Sequence, residues 1–290
     1  MTGVMHAARL DVSESLRARW FALYAIVFGG LVAALFAFGL AESRVLGFTG
    51  LSRLLVTYIQ LSMAILPVFV LLTTVRSLAG DREAGVLEYM LSLPISLGGW
   101  YWGRFLGRFI VVFLPVFVAM VGAIAWGAAK GVAVPWYHFG FYTALLLSLS
   151  LCFLGLSFLI SSLARTLEIA QGAAFLVWLV LLLFLHLVLL GVIIRGQAPV
   201  PLVVAIALLN PLQAFRVAAM MLFDAELVML GPSAFVILDA FGQYGYLAWA
   251  LLYWLRFNLD VPEPYLADLW QTLAWIVPLQ AAIFIALGLY

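Results

Sequence analysis

The chain has 290 residues, of which 67% are hydrophobic and only 9% charged, and its formal net charge is +1. A soluble domain is about a quarter charged, so the composition excludes an ordinary soluble enzyme and points to a polytopic bundle in lipid. The near-zero net charge excludes a global attraction to nucleic acid. The single cysteine, Cys152, sits in an apolar run and excludes an intrachain disulfide or a Cys-based metal motif.

In chain order, residues 1–19 carry Arg9, Arg17 and Arg19 with Asp11 and Glu14. They read as an interfacial amphipathic helix rather than a cleavable leader, because the run that follows, 20–41, is long enough to span. Further runs of spanning length lie at about 54–76, 105–129, 139–163, 169–194 and 270–290, making six. Two shorter runs, 199–209 and 244–257, are framed by Pro, Gly or charge and read as interfacial or re-entrant; were 244–257 to span, the C-terminus would change sides. The expected fold is all-α and polytopic. It comprises an N-terminal amphipathic helix (1–19), five transmembrane helices (20–194) with a cytoplasmic segment 77–104, an extracytoplasmic helical segment (195–269) and a sixth transmembrane helix (270–290).

Basic residues favour the cytoplasmic side. With the N-terminus inside, Arg9, Arg17, Arg19, Arg76, Arg82, Arg104, Arg108 and Arg165 fall there, against six basic residues outside. Trp20, the Trp100-Tyr101-Trp102 cluster and Trp136-Tyr137 mark the interfaces.

The stretch GDREAGVLEYMLSLPIS, residues 80–96, gathers Asp81, Arg82, Glu83 and Glu88 between two spans. Taken as a helix over 82–93, it puts Val86, Leu87, Met90, Leu91 and Leu93 on one side and Gly85, Glu88 and Ser92 on the other. Pro94 stops it. Too short to span, it is expected to lie along the cytoplasmic surface with an acidic face outward.

In Glu83, Gly85, Leu87, Glu88, Pro94, Ser96 and Arg104 this segment resembles the coupling helix of ABC-2 class permeases of ATP-binding-cassette transporters. Val86 stands where that family commonly has Thr or Ser, and Arg104 where it has Lys. The resemblance implies a bacterial or archaeal cytoplasmic (inner) membrane, a homodimer, and two copies of a separate ATPase subunit whose groove receives the segment. It implies that Glu83 and Glu88 make polar contacts there, that Gly85 allows close approach, and that Pro94 makes the exit. LGFTGL (46–51), ILPVFVLL (65–72) and LLNPLQAFR (208–216) further resemble the Nos-type branch, whose transporter matures the copper-sulfur site of nitrous oxide reductase. That branch implies a periplasmic accessory protein, with Asn210, Pro211 and Arg216 as its candidate contacts. The rival readings are an ABC-2 exporter of lipid, polysaccharide or drug, and a non-transporting membrane scaffold. The last span ends at Tyr290 without the family's usual basic tail.

Other chemistry is not indicated. The only lysine, Lys130 in AAKGVA, does not form a Walker loop, so ATP hydrolysis must come from another subunit. Asn210-Pro211 reads as a helix N-cap with Pro in the first position. His186 lacks an acid or Cys one turn away, and Met220, Met221 and Met229 read as packing residues rather than copper ligands. Within the spans, Gln60, Gln171, Gln280, His186, Cys152 and hydroxyls make no paired acid–base group. No enzyme activity and no cofactor on this chain are expected.

Overall fold

The computed structural model describes residues 2–17, 21–31, 50–86, 89, 97–129, 131, 134, 136–184, 200–221 and 232–253, and among them there is no strand. The helices are α1 (Thr2–Arg17), α2 (Phe21–Leu31), α3 (Gly50–Glu83), α4 (Leu97–Ala129), α5 (Trp136–Leu163), α6 (Leu167–Leu179), α7 (Val200–Leu208), α8 (Pro211–Met221) and α9 (Pro232–Leu252). A π-helical turn, Val180–Phe184, continues α6.

Among the described residues three helical segments, Leu61–Glu83, Gly99–Ala129 and Trp136–Leu163, are long and apolar enough to cross a membrane; the number becomes five if each of two bent pairs counts as one span. The expected span 20–41 is described only as far as Leu31, and the run 169–194 as far as Phe184. The expected span 270–290 lies outside the described residues, as do Lys130, His186, Met229 and Gln280.

At the centre, α3 packs along α5. The α5 face carries small hydroxyl residues, which let two backbones approach closely. Ser157 Oγ donates within its own helix to the Phe153 carbonyl at 2.6 Å and lies 3.4 Å from the Val70 carbonyl of α3. Ser161 Oγ accepts from Ala79 N–H at 2.9 Å and donates to the Val75 carbonyl at 2.8 Å. Val75 and Ala79 are four apart, so this hydroxyl bridges the donor and acceptor of one helical turn, the kind of insertion that bends helices. Phe153, Leu149, Leu66, Val70 and Met120 fill the surrounding core.

The two right-angled pairs pack on the same core. Helices α7 and α8 meet at 106°, and the two halves of α9 meet at 86° around Gly242. Gly242 holds φ 64 and ψ 170, a conformation open essentially to glycine alone. Polar groups freed by these bends are recovered by side chains. Asn210 Oδ1 accepts from Leu212 N–H at 3.0 Å, the expected N-cap, while its amide donates to the Leu181 carbonyl in the π-helical turn at 2.7 Å. Tyr253 donates to the Leu209 carbonyl at 2.8 Å and Tyr246 to Ala214 at 3.0 Å. Ser148 donates to the Leu251 carbonyl at 2.8 Å. Ser148 lies about 18 Å along α5 from Trp136 at 1.5 Å per residue, near the middle of that helix. Part of the segment expected outside therefore reaches the level of the centre of α5, a geometry shared by a re-entrant element and a broken span.

Candidate functional site

The functional expectation centred on residues 82–94, and the helix boundary there differs from the one anticipated. The apolar run of α3 ends near Arg76, yet the helix continues to Glu83. It stops where Gly85 takes φ +70, with Ala84 N–H on the Gly80 carbonyl at 3.0 Å and Gly85 N–H on Arg82 at 3.1 Å. This is a left-handed glycine stop at the C-terminal end of a helix. A Cβ on Gly85 would meet nothing within 4 Å, so within this chain its glycine serves the backbone angle rather than close approach. Glu83 is thus the last residue of a long helix, not the second of a separate one. Leu87, Glu88, Met90 and Pro94 lie outside the described residues.

The last turn of α3 makes three separate ties. Asp81 Oδ2 is 2.5 Å from Arg104 Nη1 of α4. Arg82 Nη1 donates to the carbonyls of Ser162 at 3.1 Å and Ala164 at 2.8 Å, the unsatisfied acceptors at the end of α5. Glu83 Oε2 accepts from Leu167 N–H at 2.9 Å, at the start of α6, beside Thr166, whose hydroxyl accepts from Ile169 N–H at 3.3 Å. A carboxylate at a helix N-terminus and a guanidinium at a C-terminus both complement the helix dipole. Consecutive residues therefore bind α3 to α4, α5 and α6.

Arg104 extends the network to α1. It sits over the Trp100 ring at 5.5 Å, and its Nη2 donates to the Ser77 carbonyl at 3.3 Å. Its Nε is 3.6 Å from Asp11 Oδ1, and Arg108 Nε is 3.0 Å from the same oxygen. Asp11 reaches this depth because glycines of α4 leave room for α1. A Cβ on Gly103 would fall 2.6 Å from Ala7 Cβ and from the Val4 carbonyl, and one on Gly107 would fall 2.9 Å from the Ala8 carbonyl. Burial raises the Asp11 carboxyl above its ordinary value, and Arg108 and Arg104 oppose that rise.

Among the residues singled out from sequence, Glu83 and Arg104 are brought into one network through neighbouring Asp81. Of the three expected to face an outer partner, Asn210 and Pro211 are buried and Arg216 is exposed. Asp11, Arg82 and Arg108 were not singled out as site residues. A legible signal existed in Gly103 and Gly107, spaced by four on an apolar helix, the pattern that admits a second helix. Among the described residues no group of three His, Cys, Asp or Glu could hold a metal ion.

Comparison with known proteins agrees with this arrangement of apolar helices. The profile of the ABC-2 family transporter protein matches residues 5–290. The chain is 27% identical over 231 residues to the Probable ABC transporter permease protein NosY of Pseudomonas aeruginosa, covering 78% of this chain and 84% of that protein. It is 27% identical over 233 residues to the protein of the same name from Stutzerimonas stutzeri, with the same coverage. On its helical membrane architecture and this match across nearly its whole length, the chain belongs to the ABC-2 transporter family and is a membrane permease of that type.

Proposed function

We propose that this chain couples ATP hydrolysis on a separate ATPase subunit to motion across the membrane. The observation that carries the reading is the Asp81-Arg82-Glu83 triplet. The segment that follows Gly85 is the candidate docking element, and force applied to it enters α3 at the point where α3 is tied to α4, α5 and α6. Six transmembrane helices, a cytoplasmic N-terminus in the inner membrane, a homodimer and two ATPase copies complete the proposed assembly. The Nos-type motifs at 46–51, 65–72 and 208–216, together with two relatives named NosY, support service in copper-sulfur site maturation of nitrous oxide reductase. In that setting exposed Arg216 is the candidate contact for a periplasmic partner.

The test must separate docking from helix capping, because Glu83 has both assignments. Glu83→Gln keeps an acceptor for Leu167 N–H and removes the charge. Combined with Glu88→Lys, it is expected to abolish co-purification of the ATPase while the permease still inserts. Undiminished co-purification with that double variant would refute the docking assignment.

A further inference from the structure

A cleft of about 1020 Å³ opens between α2, α3, α4 and α6, beside the end of α1. It is at the upper limit of ordinary small-molecule sites and is chemically divided. Its walls are apolar, with Val27, Ile65, Val68, Leu72, Val112 and Phe175 prominent. At the charged end of the bundle Arg76 and Glu14 both line the cleft, and both are exposed. Among the described residues neither belongs to an ion pair. The three neighbouring charges, Asp81, Arg104 and Arg108, are already paired. Two further lining groups, the buried hydroxyls of Ser15 and Tyr24, have no hydrogen-bond partner among the described residues.

We infer that this cleft binds one glycerophospholipid with a primary-ammonium headgroup, its phosphate at Arg76, its ammonium at Glu14 and an acyl chain along α3. Charge complementarity selects the headgroup. One cation and one carboxylate lie at the same end, neither in an ion pair among the described residues, although Glu14 also acts electrostatically on Arg108. Together they match a zwitterion, whereas an anionic headgroup would leave Glu14 facing negative charge. A guanidinium suits phosphate, and a carboxylate accepts hydrogen bonds from a primary ammonium but not from a quaternary one. Length selects the tail. From Arg76 to Ile65 the α3 face descends about 16 Å at 1.5 Å per residue, close to half of a hydrocarbon core about 30 Å thick. The unsatisfied hydroxyls of Ser15 and Tyr24 are suited to phosphate or ester oxygens. The inference does not rest on the copper-maturation reading, since a bound lipid is compatible with any cargo or with none.

The full chain, reconstituted in nanodiscs of phosphatidylcholine doped with phosphatidylethanolamine or phosphatidylglycerol, is released and its retained lipids are counted by native mass spectrometry. The wild type is expected to retain phosphatidylethanolamine in preference to both others. Arg76→Ala is expected to lower retention of every phospholipid by about tenfold, the loss of one charge-assisted contact. Glu14→Gln should abolish the preference over phosphatidylcholine while leaving total retention near the wild-type level. Leu72→Trp, which fills the apolar wall, should exclude lipid in a protein that remains monodisperse. Equal retention of the three lipids, unchanged by Arg76→Ala and Glu14→Gln, would overturn the inference. So would efficient crosslinking between two copies through Val27→Cys and Phe175→Cys, which would make a second chain the occupant.

Discussion

Asp11 is the residue whose loss has the clearest expected consequence. Its side chain is 2% exposed, and two guanidinium nitrogens stand 3.0 and 3.6 Å from one of its oxygens. Burial raises its carboxyl despite both arginines, so ionising it there costs more than the arginines return. The cluster is thus a weak source of net stability, yet interrupting it is expensive. Asp11→Asn leaves Arg108 without its acid, at a cost of about 3 kcal/mol to the docking of α1. Trypsin cleavage after Arg9 and Arg17 should then accelerate, and Asp11→Leu combined with Arg108→Leu should reverse most of that change. A cleavage rate unchanged in Asp11→Asn would remove the cluster from the anchoring of α1. The sign with pH follows from the raised value. Below the ordinary 3.8 the contribution of Asp11 protonation to docking is fully present, and it is lost as pH rises through the higher value in the docked state.

At the scale of elements, the seam between α1 and α4 depends on glycine. Gly103→Ala places a methyl 2.6 Å from the Val4 carbonyl, a backbone atom that cannot step aside alone. An overpacking cost of about 2 kcal/mol is expected, read as faster maleimide labelling of an Ala8→Cys reporter. Gly122→Ala, where a Cβ meets nothing within 4 Å, should leave labelling unchanged; equal rates in both variants would show that α1 does not use this seam. The apolar runs underlying α3, α4 and α5 were legible because spanning length is a composition signal. The continuation of α3 beyond Arg76 was not, since hydropathy ends there while the helix persists through polar ties made by residues 82 positions away in sequence. The N-cap at Asn210 was legible from its residue type and the following Pro, whereas its bond to Leu181 was not, because that partner arises only when the bent pair folds back against the π-helical turn. The charge crowd at 81–83 was conspicuous in sequence, but of the three only Glu83 was given a contact there, to an ATPase subunit; that the three residues reach three different helices depends on partners far away in sequence.

For the whole molecule, the consequence is that motion at one end cannot stay in one helix. Arg82 is the most direct test, because its side chain grips α5 by two carbonyls and it precedes the segment proposed to meet the ATPase. Removing it should cost about 1.5 kcal/mol, a value typical of a partly exposed charged donor, too little to unfold the bundle. In Arg82→Ala the proposed ATPase partner should still co-purify, since Glu83 and the residues beyond Gly85 are untouched. The transmitted motion should weaken instead. Spin labels on α3 and α5 near Ser77 and Ser161 should move as a unit on ATP addition in the wild type, and their separation should broaden on ATP addition in the variant. Loss of ATPase binding in Arg82→Ala would place this residue in the docking surface rather than in the linkage behind it. Unchanged label distances together with normal activity would show that the Ser161 bridge and the packing of α3 on α5 suffice without Arg82. The variant therefore distinguishes whether the end of α3 only receives the partner or also distributes its force.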